Sequence, residues 1–262
     1  MKIVLVATLV IFLAIGVNAQ QEPATEFLLF EFMEVPDENG NAYWQVESFW
    51  SGIHQQRVAD SSIIGWDLWS LTPSGTKQGS QFLTVTIFAS LKDMLNSMNS
   101  LDITSYAKKA YPDMTDEEFG GVMDMTVKSR DLAHQVLLVG IDKTTDDYQM
   151  KVGSIVTLDI MKQVAENYEE AESEIFKPWH QQLVDDGKKA HWGLLKAILP
   201  VGNDVYGTHI AYSFYKDMNQ LAEFMEGFGD KMDVMTGMAV EQGLKTRDWR
   251  EMKIGRLVMI VR

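Results

Sequence analysis

The chain has no cysteine, which excludes disulfides, thiolate-held zinc, iron–sulfur clusters and thiol nucleophiles together. It also lacks a nucleophile elbow, a glycine-rich phosphate loop, a dinucleotide fingerprint and any HExxH-type metal spacing. Positive charge is scarce, with 23 Lys and Arg against 37 Asp and Glu for a net charge of −14. Nucleic acids are poor partners for such a surface, because their affinity comes largely from phosphate neutralisation by Lys and Arg. Solubility alone accounts for the acidity.

Long apolar runs are missing except at the start. Lys2 precedes the run Ile3 to Val17, and Val17-Asn18-Ala19 carries the small residue expected before a cleavage point. This pattern predicts a secretory signal peptide over residues 1–19. The run is shorter than the roughly 20 residues that span a bilayer, so a membrane anchor is the weaker reading. Loss of Lys2 with the leader leaves 22 basic residues against 37 acidic ones, a charge of −15. The expected mature chain is secreted or periplasmic, off the membrane, and large enough for one large domain or two small ones.

Within that chain a segment recurs. His54-Gln55-Gln56-Arg57-Val58-Ala59-Asp60 is answered by His180-Gln181-Gln182-Leu183-Val184-Asp185-Asp186, and Trp66-Asp67-Leu68 by Trp192-Gly193-Leu194 at the same offset of 126. Lys92-Asp93-Met94 then matches Lys216-Asp217-Met218, and Lys128-Ser129-Arg130-Asp131 matches Lys245-Thr246-Arg247-Asp248. The register slips between these matches in the way that loop-length changes produce. A tandem duplication is the expectation, with units at 26–145 and 151–262.

The first unit reads as a strand over 26–35, a turn at Pro36 to Asn41, and an amphipathic helix to about Asp60 with Val46, Trp50, Ile53 and Arg57 inward. Strands at 63–71 and 81–89 flank a loop from Thr72 to Gly79, an irregular helical region covers 91–127, and a strand covers 132–141. The second unit repeats this order from about Ser154. Each is β-α-β-β-α-β, a ferredoxin-like arrangement with both helices on one sheet face. The bare faces of the two sheets are expected to pack together.

This α+β pattern of two ferredoxin-like units packed sheet to sheet resembles the dimeric α+β barrel superfamily, with both subunits fused in one chain. The resemblance rests on element order and duplication and covers nearly all of the mature chain. It implies a site between sheet and helices of each unit. The superfamily includes cofactor-free monooxygenases and haem enzymes related to chlorite dismutase, so the fold alone does not assign a reaction. Fusion supplies what other members gain by dimerising, which implies a monomer.

His54 and His180 stand at the flanks of the inward helix faces, beside Trp50 and beside Phe176 and Trp179. They are the expected acid–base groups of two equivalent pockets, the alternative being structural imidazoles bonded to backbone carbonyls. Trp66 and Trp192 are placed to stack on a ligand or to fill the core. Arg130 and Arg247 are placed to clamp a carboxylate or to pair with the Asp that follows each. His180, His191 and His209 lack metal-ligand spacing. Met232, Met235 and Met238 read as core filler, and Glu166 to Glu174 as a hydrated helix face.

The chain is therefore expected to be an exported small-molecule-binding protein or cofactor-independent enzyme, with a small apolar or aromatic ligand and one pocket per half. The alternatives are a non-enzymatic interaction module and, further off, a haem protein ligated by His54 or His180. No cofactor is otherwise expected.

Overall fold

The computed structural model describes residues 25–75, 77–227 and 234–262; the expected leader and Met232 lie outside them. Among the described residues eight strands close into one antiparallel barrel. They are Phe27–Glu34 (β1), Gly65–Thr72 (β2), Phe82–Phe88 (β3), Asp131–Lys143 (β4), Ile155–Gln163 (β5), His191–Leu199 (β6), His209–Tyr215 (β7) and Arg247–Val261 (β8). The order round the barrel is β1-β3-β2-β8-β5-β7-β6-β4. The N-terminal half thus contributes β4-β1-β3-β2 and the C-terminal half β8-β5-β7-β6, the same order in each.

The bare sheet faces do meet, as the inside of the barrel, but the halves are also joined along both edges. Strand β2 pairs with β8 from Trp66 opposite Val261 to Thr72 opposite Ile254, and β4 pairs with β6 from Leu137 opposite Leu199 to Lys143 opposite Gly193. Face packing alone would leave four unpaired strand edges, and closure removes them. Alternation along the strands then divides the core into layers. Phe30 and Phe32 of β1 point inward to join Leu71, Val85, Leu138, Leu158, Leu195, Ile210 and Leu257 from the other seven strands. Leu29 and Met33, their neighbours in sequence, face outward beneath the helices.

The first helix, Gly40–Ala59 (α1), lies on the outer face of the N-terminal sheet. Its buried positions, Tyr43, Val46, Glu47, Phe49, Ile53, His54 and Arg57, recur at three- and four-residue spacing. The irregular region that follows is three helices, Leu91–Ser100 (α2), Ile103–Ala110 (α3) and Asp116–Ser129 (α4). Each starts on a side-chain cap: Ser90 accepts from the Asp93 N–H, Asp102 from the Ser105 N–H, and Thr115 forms a capping box with Glu118. Helices α3 and α4 pack on α1 through Phe49, Ile53, Ala107 and Phe119.

On the C-terminal half the corresponding helix is Tyr168–Ala171 (α5) and Lys177–Asp185 (α6), joined by a π-turn over Glu172–Phe176. Pro178 has no N–H for the helical ladder just beyond that turn, which favours the looser winding. The π-turn accounts for a register slip: seven residues separate Glu47 from His54, and eight separate Glu172 from His180. Met218–Glu226 (α7) and Val234–Leu244 (α8) complete this side. Two expectations are corrected here. Met235 and Met238 are 75% and 59% exposed on α8 and fill no core, and Glu172 is buried rather than hydrated.

At one seam the carboxylate of Asp67, 3% exposed, is held by Arg262 through contacts of 2.8 and 3.0 Å. Gly65 lets the guanidinium in, since a Cβ there would lie 2.5 Å from Arg262 Nη1. Arg262→Ala leaves that carboxylate buried without its cation and lowers the stability measured by urea unfolding by about 1–3 kcal/mol.

Candidate functional site

Four of the expected site residues of the N-terminal half line one cavity. Trp50, His54, Trp66 and Arg130 surround a space of about 390 Å³ between the outer sheet face and helices α1 and α2. Its apolar wall includes Leu29, Phe88, Met98 and Leu101. Its polar wall adds Glu31, Glu47, Arg57, Thr84, Thr86, Ser97 and Gln135, which the sequence reading had not assigned to a site. A pocket of this size suits a small organic ligand.

The His54 ring lies flat on Trp66, with centroids 4.8 Å apart and an interplanar angle of 19°. Trp50 lies near the same ring, at 5.9 Å and 29°. Arg57, one turn along α1, donates from Nη1 to His54 Nδ1 at 3.2 Å and from Nη2 to Ser97 Oγ at 2.7 Å. A guanidinium only donates, so Nδ1 must accept and the proton of the neutral ring sits on Nε2. Burial, reinforced by the Arg57 charge, holds the His54 pKa well below the ordinary histidine value. His54 is thus a neutral imidazole that offers an N–H donor where a base was expected.

The C-terminal half builds the same stack. His180 lies on Trp192 at 4.9 Å and 17°. The cation against its Nδ1 is Lys189, at 2.9 Å, which also donates to Ser213 Oγ at 2.9 Å. Lys189 precedes β6 and occupies the position of Ile63 in the other half, while the counterpart of Arg57 is Leu183. The cation therefore reaches the same ring nitrogen from a different element. Burial brings the Lys189 amine down to about 7, opposed by the nearby Asp159 carboxylate, whose own pKa burial raises to about 6.

Neither arginine pairs with the Asp that follows it. Arg130, at the start of β4, forms an ion pair with Glu47 of α1, and Arg247, at the start of β8, with Glu172 of the π-turn. Each guanidinium also lies 5.9 Å from a tyrosine ring, Tyr43 in one half and Tyr168 in the other. Arg247 stacks on Phe176 at 4.1 Å as well, so Phe176 and Arg247 are engaged with each other. The two Tyr–Glu–Arg clusters were missed in the sequence. Tyr43-x-x-x-Glu47 and Tyr168-x-x-x-Glu172 carry a shared signal, hidden because the one-residue π insertion puts them at offset 125 rather than 126.

The other histidines have partners of their own. His191 contacts Asp146 at 2.6 Å, buried His209 contacts Glu169 at 3.3 Å, and His134 lies beside Phe32 at a ring separation of 6.3 Å. A second cavity of about 410 Å³ opens at one end of the barrel, lined by Phe32, His134, Tyr206 and Lys253, and holds none of the expected site residues.

No protein-family model and no curated protein matches this chain. Among solved structures it is similar to a candidate monooxygenase from Fusobacterium nucleatum, with a TM-score of 0.56 at 9% identity over 92% of this chain and 95% of that one. It is also similar to an anthrone oxidase-like protein, with a TM-score of 0.52 at 13% identity over 91% and 93% of the two chains. A candidate chlorite dismutase gives 0.52 at 8% identity over 90% and 96%. At these identities the likeness is one of fold. The chain is a mixed α+β protein built on a closed eight-stranded antiparallel barrel, matching solved structures of the dimeric α+β barrel type.

Two outcomes test the electrostatics. Arg130→Met leaves Glu47 buried and unpaired and costs about 3–5 kcal/mol in urea unfolding, whereas Glu47→Leu combined with Arg130→Met stays within about 1 kcal/mol of wild type or exceeds it. Lys189 gives up its proton near pH 7 in the folded chain and near 10.5 when unfolded. The unfolded state therefore binds more protons between those values, and stability rises with pH across that window. In Lys189→Met this rise is lost from melting temperatures measured at pH 7 and pH 9.5.

Proposed function

We propose that this chain is an exported small-molecule-binding barrel, derived by tandem duplication of a ferredoxin-like unit, and that its working pocket is the cavity of the N-terminal half. The observation that carries this reading is the convergence of His54, Trp50, Trp66 and Arg130 on one space between sheet and helices. Three of these were chosen because both halves retain their counterparts. The ligand is a small, flat organic molecule: indole and phenyl walls receive its rings, and the His54 N–H and the side chains of Thr84, Thr86 and Gln135 orient its polar atoms. Residues 26–145 and 151–262 are the two units, with His180, Trp192, Phe176 and Arg247 forming the related constellation of the second.

A cofactor-independent enzyme is the second reading, favoured by the same donor. A neutral imidazole N–H on the cavity wall stabilises negative charge that develops on a ligand oxygen, the electrostatic contribution usual in oxyanion stabilisation. The similarity to structures described as a candidate monooxygenase and an anthrone oxidase-like protein is compatible with that chemistry.

Haem does not fit His54 as its axial ligand. An axial histidine presents a bare nitrogen to the metal and ordinarily donates its other N–H to a carboxylate or carbonyl. Here Nδ1 of His54 faces a guanidinium, which only donates, so the proton lies on the nitrogen that would have to bind iron.

The test is His54→Phe, which keeps a ring on Trp66 while removing the donor. Stability falls by about 1–3 kcal/mol, because Arg57 Nη1 loses its acceptor, and the variant still folds. Affinity for the small molecule found by native mass spectrometry of the purified protein falls at least tenfold. Unchanged affinity with a large loss of stability makes His54 scaffold and defeats the reading.

A further inference from the structure

Arg57 is buried to 3% exposure, lines the cavity, and has no carboxylate within ion-pair distance among the described residues. Its two hydrogen bonds, to His54 and Ser97, use two of the five N–H groups that a guanidinium carries. Nε has no hydrogen-bond partner among the described residues. Arginine is almost never buried unless paired, because the desolvated charge is uncompensated. Attraction from Asp60 and Glu31 acts on it only at a distance and leaves burial as the dominant influence, so its pKa stays lowered. Glu47 is committed to Arg130. Glu31 accepts from Thr84 Oγ1 at 3.3 Å and from Gln135 Nε2 at 3.0 Å, and lies beyond ion-pair reach of Arg57.

Beside this spare positive charge lies a second donor. Nδ1 of His54 is occupied by Arg57, so the ring carries its proton on Nε2, and His54 is among the residues that line the cavity. The guanidinium and the imidazole are one turn apart on the same helix and are fixed against each other, a pair of donors held before any ligand arrives. Two oxygens of one planar group match such a pair, and the flat stack of Trp50, His54 and Trp66 beside them suits an aromatic ring joined to that group.

We infer that the ligand of this cavity is a flat organic anion, an aromatic carboxylate, whose two oxygens are received by the Arg57 guanidinium and the His54 Nε2–H. The inference rests on the reading of this cavity as the binding place. The anion supplies the missing counter-charge, and ring and charge are recognised together. A neutral ligand leaves the guanidinium uncompensated, and a cation adds like charge beside it.

Three probes of one shape separate the possibilities: 2-naphthoate, 2-naphthamide and 2-naphthylmethylammonium, titrated at pH 7.5 by calorimetry into the full-length mature chain. Wild type binds naphthoate at least tenfold more tightly than either of the others. Arg57→Gln loses that preference, and Thr86→Trp, which fills the cavity, loses binding of all three; Met98→Trp serves the same purpose from α2 if Thr86→Trp does not fold. Equal or tighter binding of the amide or the ammonium probe, still abolished by the filled cavity, overturns the anion inference and leaves the cavity as the site. Binding unaffected by filling the cavity, or no binding of any probe, overturns both.

Discussion

An imidazole laid flat on a buried indole, with a cation fixed against its Nδ1, is the arrangement on which the site depends. Both halves have it, with ring separations of 4.8 and 4.9 Å. The Arg57 guanidinium only donates, so His54 must accept at Nδ1, and that single constraint decides its tautomer and its unsuitability as a metal ligand; Lys189 imposes the same on His180 while it holds its proton. Burial keeps both rings neutral, reinforced by the charge of Arg57 beside His54 and by those of Lys189 and Arg247 near His180. The stack also docks the first helix of each half on its sheet, with the Glu47–Arg130 and Glu172–Arg247 ion pairs holding the same helix at its other end.

What the two halves retain is an environment rather than a set of positions. In one the cation is Arg57 on the helix; in the other it is Lys189 in the connection before β6, with Leu183 where the arginine would be. The two cations differ in consequence. A guanidinium stays charged when buried, whereas an amine yields its proton, and Lys189 is moved close to neutrality. Arg57 thus needs a counter-charge that Lys189 partly escapes by titrating. The N-terminal half, whose cavity Arg57 lines, is where the positive charge is left for a ligand.

The sequence made the fold legible through periodicity and repetition. Apolar alternation located the strands, and the repeated His-Gln-Gln and Trp segments placed one imidazole and one indole together in each half. Closure along both sheet edges was not legible, since edge pairing leaves no pattern beyond that of any strand. The division of residues 91–129 into three helices was written in Ser90, Asp102 and Thr115, but capping residues also occur in loops. Glu172 belongs to an acidic stretch, Glu166 to Glu174, that reads as one hydrated face, although its spacing from Phe176 and Leu183 puts it on the inward side where it is buried. Arg57 was recognised as inward, yet its lack of a counter-ion depends on where Glu31 and Glu47 are committed in three dimensions. The exposure of Met235 and Met238 likewise follows from how α8 sits, which spacing alone does not state.

The most direct test is nitrogen-15 NMR of histidine-labelled protein at pH 6, reading the protonation of each ring nitrogen of His54 and His180. The account requires both rings to be neutral, with hydrogen on Nε2 and a bare, hydrogen-bonded Nδ1. A proton on Nδ1 of either ring, or an imidazolium signal from either at that pH, would contradict it.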